Sequence, residues 1–340
     1  MIDLRHVAPD ITLGANVNVD VASAVIGTGV SIGNDVTIRA KSLHLGDNVR
    51  IGDGTVIDCE RISIGWGTLI ETRCRIAAMA GSAKSITIGD QTLLAHDSKL
   101  LVPHAAIGDY TTIHNHCLLN GYAPMVLGHN NWIGQNCVLN SEARLTIGNH
   151  VGIGAYSSVY THGYFGDLLE GSRIFNVAPV TLEDDVWILG SYNVISPGVT
   201  IGAKALVLTG SNVTKNVAPN HTVGGAPARD MTDRLVPYRD VPIEEKLTKM
   251  RTYVADFAKA RPDVAIHFDD GSAWPETRPL IVISADCDEA RDDVTIIDLA
   301  RRRYFRTRSS EEAAFIRFLR SYRARFVPAD QPRVTVEVEG

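Results

Sequence analysis

The sequence predicts a mainly β protein, a left-handed parallel β-helix followed by a small α+β domain, and three observations carry that expectation. Aliphatic residues recur in nine triplets at six-residue spacing: Ile26/Ile32/Ile38, Leu45/Ile51/Ile57, Ile64/Ile70/Ile76, Ile88/Leu94/Leu100, Ile107/Ile113/Leu119, Leu127/Ile133/Leu139, Ile147/Ile153/Val159, Leu182/Ile188/Ile195 and Ile201/Val207/Val213, with Ile195 one residue late. Leading members usually stand 19 or 20 residues apart, so each triplet is one coil of three short faces. The fourth position after an aliphatic residue is small, as at Val30, Val36, Ser42, Val49, Thr55, Thr68, Cys74, Thr92, Ser98, Thr111, Cys117 and Cys137. A hexapeptide repeat of this kind stacks one aliphatic side chain per face on its equivalents above and below, and small residues fit the corners of a narrow prism.

The elements follow in order. Residues 1 to about 20 carry alternating aliphatics (Ile11, Leu13, Val17, Val19) and form an irregular first coil that caps the solenoid; regular coils then run to about residue 217. Two segments break the period, 77–86 and the longer 160–181. A solenoid accepts insertions only at its corners, and such loops are where function is placed. We therefore divide the chain into a β-helix domain, 1–230, and a small α+β domain, 231–340. In the second domain, residues 244–261 put Leu247, Met250, Val254 and Phe257 on one helical face, and Pro262 ends the helix. Strands are expected at 280–284, 294–298, about 303–307 and 333–338. Ser309 and Glu312 form a capping box that opens a helix over 310–326. Charge is split here: 263–298 holds ten acids against two bases, and 301–325 nine Arg against two acids. The two halves face each other or a neighbouring subunit, or Arg317, Arg320 and Arg323 form a patch for a phosphorylated partner.

Composition narrows the function classes. A formal charge of −6 over 340 residues argues against nucleic acid as the main partner. Neither a leader-like start nor a long apolar run is present, so a soluble cytoplasmic protein without a membrane span is expected. Of the five cysteines, Cys74, Cys117 and Cys137 occupy inward corner positions and read as buried thiols; no C-x-x-C pair suggests zinc.

Four pieces between Leu145 and Arg229 carry a family resemblance: LTIGNHVGIGAYSSVYTHGY (145–164), VTLEDDVWI (180–188), SPGVTIGAKALVLTGSNVTKNV (196–217) and VGGAPAR (223–229). In this order they resemble the hexapeptide-repeat (left-handed β-helix) acyltransferases, in particular the galactoside, maltose and polysaccharide O-acetyltransferases. The resemblance implies direct transfer of an acyl group from acetyl-CoA, without a covalent enzyme intermediate and without a metal, to a hydroxyl or amine of a carbohydrate-like acceptor. Modification of a polysaccharide or glycolipid precursor is the first expectation. It also implies a homotrimer with sites between adjacent subunits.

By the same resemblance His162 is the general base, a role suited to an imidazole. A backbone N–H at Gly190 or Ser191 faces the thioester oxygen, and the extra residue between Ile188 and Ile195 must widen that turn. Trp187 walls the acceptor side, or packs outward under the loop of the next subunit. Lys215 and Arg229 match the basic positions beside the coenzyme phosphates, and Gly224, Gly225 and Ala226 let backbone approach it. Tyr164, Phe165, Asp167 and Glu170 are candidate acceptor contacts. Two other classes stay open. One is a trimeric γ-carbonic-anhydrase-like zinc protein, raised by His96, His104, His114, His116, His129 and His150, although the R-x-D and N-x-Q-D elements of that family are lacking. The other is a noncatalytic β-helix scaffold.

Overall fold

The computed structural model describes residues 4–271, 280–291 and 293–336, and the chain divides into two compact units, Met1–Tyr238 with Arg333–Gly340, and Arg239–Pro332. The first is a parallel β-solenoid. One of its faces is a twelve-stranded sheet in which two-residue strands pair one coil apart, so that Ile113, Ile133, Ile153, Ile188 and Val207 lie in direct register. A sixteen-stranded sheet holds the other two faces. Every aliphatic position of the nine triplets from Ile32 onward is buried, and together they form one continuous core cluster. Each short strand has few neighbours in sequence, so its stability comes from the coils above and below it.

The first coils differ from the rest. Asn18–Ile26, Thr37–Leu45 and Val56–Ile64 are nine-residue strands that run straight across one corner of the prism. Along Thr37–Leu45 the alternation of an extended chain governs burial, so Leu43 turns inward and Ser42, expected inside, is exposed. At Val56–Ile64 the sheet forks: Val56 and Ile57 pair with Arg75 and Ile76, whereas Ile62–Ile64 pair with Ile86–Ile88. The first break in the period lies at this fork, and from there on the two faces are separate ladders. The remaining small positions are buried as expected, including Thr55, Thr68, Cys74, Thr92, Ser98, Thr111, Cys117 and Cys137. Burial pushes the thiols of Cys59 and Cys74 up to about 12 and about 11, so both stay protonated.

Corners need a residue with positive φ, and this chain fills many of them with Asn or Asp, such as Asn16, Asp35, Asn48, Asp97, Asn130 and Asn136. Short polar side chains tolerate the left-handed region better than most. At another corner a polar ladder binds coil to coil. Trp66 N–H donates to Asp90 (2.9 Å), Asp90 N–H to Asp109 (2.9 Å), Asp109 N–H to His129 Nδ1 (2.9 Å), His129 N–H to Asn149 (2.8 Å) and Asn149 N–H to Asp184 (2.7 Å). Corner N–H groups that face no strand are thereby satisfied. The corner after Trp187–Ile188 holds the extra residue and takes two left-handed positions, Gly190 (φ 70°) and Tyr192 (φ 62°). Asn193 then occupies the small inward site, donating to Leu189 O (3.0 Å) and accepting from Ser211 N–H (3.0 Å).

The solenoid is closed at both ends. Leu4 and Ala8, on and just beyond the short helix Leu4–Val7, cover the first coil. Thr222–Gly224 pairs with Leu206–Val207, and Arg229–Asp230 turns back antiparallel on it, which ends the parallel ladder.

The second unit is a five-stranded sheet with helices Ile243–Ala260 and Ser310–Ser321. Ser309 accepts from Glu312 N–H at 3.1 Å, but the Glu312 carboxylate accepts from Thr307 and Arg308 N–H rather than from Ser309 N–H, so only half of the expected capping box forms. The helix stops at Ser321 rather than 326; Arg323 beyond it has φ 63°. Strands Leu280–Ser284, Val294–Asp298 and Arg303–Phe305 stand where the sequence placed them, while Ala265–Phe268 and Val327–Pro328 are additional. No strand occupies 333–336, and the last two residues of the expected strand 333–338 lie outside the described residues. Acidic and basic runs meet within this unit: Arg301 and Arg303 both bond the buried Asp298 (3.2 and 3.1 Å), and Arg306 bonds Asp330 (2.7 Å). Among the described residues no helix is long and apolar enough to cross a membrane.

Two substitutions separate stacking from corner geometry. Ile153→Ala removes a fully buried rung and should cost about 2–5 kcal/mol, read as a lower denaturant midpoint at unchanged slope. Gly154→Ala would put a methyl 1.4 Å from Gly190 O, so it should destabilise by about 3 kcal/mol or more although it deletes nothing. A Gly154→Ala protein as stable as the parent would show that this corner yields freely.

Candidate active site

His162 lies at the corner that follows strand Ser158–Val159, on the long excursion from the solenoid. The excursion is partly ordered as a hairpin, His162–Tyr164 against Phe175–Val177, where the break in the repeat predicts only a loop. Its base is tied to the prism by Tyr160 N–H to Ile195 O (3.0 Å) and closed on itself by Ala178 N–H to Thr161 O (3.0 Å).

One coil below, Asn140 and Glu142 reach up to this base. Asn140 is buried, and its Oδ1 lies 2.8 Å from His162 Nδ1, 3.0 Å from Thr161 Oγ1 and 3.2 Å from Glu142 N. Thr161, fully buried, accepts from Ala143 N–H at 3.1 Å. The His162 ring is half-buried, between Tyr160 (centroids 6.1 Å apart) and Tyr164 (5.3 Å); Tyr164 stacks on Phe175 at 5.0 Å and donates to Glu142 Oε1 at 3.2 Å. Partial burial and the bond to Glu142 raise the Tyr164 phenol above its usual range. His162 Nε2 has no hydrogen-bond partner among the described residues. Asn140, Glu142, Thr161 and Phe175 did not emerge from the sequence. Counting one coil back from Tyr160 and His162 would have found the first two, because Leu139 pairs with Val159.

Of the other expected acceptor contacts, Phe165 is fully exposed, and Asp167 turns its carboxylate back to accept from Leu169 N–H (2.8 Å) and Glu170 N–H (3.2 Å), which shapes the loop tip. Trp187 stands on the twelve-stranded face, half exposed and leaning over Gly152, with Trp132 on the rung below Gly152. Gly190 and Ser191 form the corner between Trp187–Ile188 and Val194–Ile195, where Tyr192 stacks on Tyr156 at 5.5 Å. Within one chain, then, His162 belongs to one corner of the prism and Gly190 and Ser191 to another.

At the last coil Lys215 and Arg229 line one cavity of about 330 Å³, together with Asn216, Val223 and Asp230. Hydrogen bonds from Thr232 and His221 hold the Asp230 carboxyl down at about 2, so near neutrality the cavity carries two cations and one anion. Gly225 (φ 96°) and Ala226 are exposed but are not among the residues that line this cavity, whereas Gly224 is buried, and a Cβ there would meet Leu208 and Met231 at 3.0 Å. The other histidines are dispersed: His96 pairs with Glu71 (3.0 Å), His114 packs on Trp132 (5.0 Å) and His129 belongs to the corner ladder. Among the described residues no three His, Cys, Asp or Glu side chains converge as metal ligands would.

No protein-family model matches the chain. The galactoside O-acetyltransferase of Escherichia coli is 40% identical over 72 residues, 21% of this chain and 34% of the relative; the chain thus spans about a third of that protein's length. A chloramphenicol acetyltransferase of Agrobacterium fabrum is 45% identical over 53 residues, covering 16% of this chain and 25% of the relative. Among solved structures, a hexapeptide-repeat-containing acetyltransferase of Vibrio cholerae is 31% identical, covering 41% of this chain and 71% of that one, at a TM-score of 0.27. In sequence, over the stretches that match, this chain is similar to acetyltransferases, one of them a hexapeptide-repeat-containing protein, and its own fold is a parallel β-solenoid.

Proposed function

We propose that this protein transfers an acetyl group from acetyl-CoA to a hydroxyl or amine of a sugar-containing acceptor, with His162 as general base. The observation that carries the reading is the anchored imidazole. Its Nδ1 is engaged by the buried Asn140, its Nε2 has no partner among the described residues, and aromatic rings flank it. In this reaction Nε2 takes the acceptor proton as the oxygen or nitrogen attacks the thioester carbon; the new acyl bond forms, the carbon–sulfur bond breaks, and the proton passes from the imidazolium to the departing thiolate. The oxyanion formed on the way needs an N–H donor, a role we give to Gly190 or Ser191.

These groups stand at different corners of one prism, so the site requires His162 of one copy and the Gly190–Ser191 corner of another, which supports a homotrimer. The exposed apolar side chains of the excursion, Phe165, Leu169 and Ile174, give a neighbouring copy a surface to cover. Lys215 and Arg229 hold the coenzyme phosphates, with Gly225 and Ala226 beside the pantetheine arm. Trp187, Tyr164, Phe165 and Phe175 offer ring faces to a sugar, and Asp167 shapes the tip of the excursion that carries the last three. Modification of a polysaccharide precursor in the cytoplasm fits such an acceptor and donor.

Loss of a general base lowers turnover by about 10²–10⁴, so His162→Ala should reduce thiol release from acetyl-CoA by that factor while calorimetry finds coenzyme affinity unchanged. Near-normal release would remove His162 from the mechanism. Lys215→Ala and Arg229→Ala should each weaken coenzyme A binding by roughly tenfold, an effect that shrinks with added salt. Unaltered affinity in both variants would place the phosphates elsewhere.

A further inference from the structure

We propose that Asn140 is the positioning residue for His162: it fixes the imidazole in the tautomer that leaves Nε2 unprotonated and ready to accept. The inference rests on His162 being the base, and it follows from a question of which atom can donate. Asn140 Oδ1 lies 3.2 Å from the backbone N–H of Glu142. A main-chain N–H can only donate, so the Asn140 atom facing it is the oxygen and not the amide nitrogen. That same oxygen is 2.8 Å from His162 Nδ1. An amide oxygen cannot donate, so Nδ1 must carry the proton, and in the neutral ring Nε2 then has its lone pair free.

The orientation is fixed as firmly as the tautomer. Asn140 is 5% exposed and sits at the end of strand Val138–Ser141, whose neighbours pair with Ser158 and Val159 on the coil that carries the histidine. Thr161 Oγ1 donates to Asn140 Oδ1 (3.0 Å) or its main-chain O (3.2 Å) while accepting from Ala143 N–H (3.1 Å). Three groups from two coils, the His162 ring, the Thr161 hydroxyl and the Glu142 N–H, thus lie within hydrogen-bond distance of one amide oxygen. The ionisable groups around the ring are Glu142, Tyr160 and Tyr164, and Glu142 is bonded to Tyr164 rather than to the imidazole. Replacing the amide by an apolar group removes the only acceptor facing Nδ1 among the described residues, which frees the ring to populate the Nε2–H tautomer and to rotate.

The test begins with the unaltered full-length chain labelled with ¹⁵N-histidine, since its readout needs no acceptor. The His162 signals, assigned by their loss in His162→Ala, should place the neutral-ring proton on Nδ1; a proton on Nε2 overturns the proposal. In Asn140→Leu, of similar volume, the signals should shift toward a mixture of tautomers. With acetyl-CoA and methyl galactoside as acceptor, kcat should fall about 10- to 100-fold at unchanged KM, within what a general base contributes. Asn140→Asp restores an acceptor and should recover the Nδ1–H signal. It should also recover plateau turnover to within a few fold, with the acid limb of the rate profile moved to higher pH, because a carboxylate favours the imidazolium. A folded Asn140→Leu protein with parental tautomer, kcat and pH profile defeats the inference. Should that variant not fold, the unaltered chain and Asn140→Asp still decide. If His162→Ala keeps turnover, the base reading falls; if it is inactive while Asn140→Leu is unimpaired, only the role of Asn140 falls.

Discussion

Everything in the solenoid depends on each coil returning to the same place after three short faces. A two-residue strand has too few bonds to persist alone, and it is held because Ile133 lies in register with Ile113 below and Ile153 above, and so on along the ladder. Register in turn depends on corners of constant shape. The left-handed residues and the ladder from Trp66 to Asp184 provide that constancy, since each corner side chain accepts an N–H from the coil before it. His129 is informative here: it occupies a rung otherwise filled by Asp or Asn, and it can do so only with Nδ1 unprotonated, because a backbone N–H donates to it.

The same constraint decides where function can lie. Inward positions are committed to stacking, and a face interrupted by extra residues would lose its pairing. Extra chain therefore leaves only at corners, as it does after Val159, where the hairpin is tied back by Tyr160 and Thr161 and the ladder resumes through Val194–Ile195. A single extra residue, at Gly190–Ser191, is absorbed by a second left-handed position and by Asn193 bonding in both directions. The rigid prism thus presents His162 and the Gly190 corner as fixed groups on different corners. A solenoid cannot fold two of its corners together, so any chemistry using both must draw them from separate copies.

Much of this was legible because one period governs the whole unit. The aliphatic triplets, the small corner positions and both breaks in the repeat follow from counting six, and Lys215 and Arg229, picked from separate motifs, line one cavity. What was missed obeys a different period or none. Ser42 and Leu43 exchange roles because Thr37–Leu45 crosses its corner as an extended strand, where alternation by two overrides counting by six. The hairpin inside 160–181 has no repeat to betray it. Asn140 escaped notice for a third reason: it sits just after an aliphatic rung, where outward residues vary freely, and its meaning appears only when the next coil lays Thr161 and His162 over it.

The choice of an amide rather than a carboxylate at residue 140 has a physical consequence of its own. A carboxylate beneath Nδ1 would orient the ring equally well, but it would also stabilise the charged imidazolium, the form that cannot accept a proton. Burial sharpens the difference, because Asn140 is almost fully enclosed, and an ionised group there would need partners beyond the two neutral donors, Glu142 N–H and Thr161 Oγ1–H, that reach this oxygen beside the ring. The neutral amide oxygen fixes direction and tautomer while adding no charge to the corner. Glu142, the nearby carboxylate, is bonded to Tyr164 instead, so orientation of the ring falls to Asn140 within the strand and the nearest negative charge to a residue just past its end.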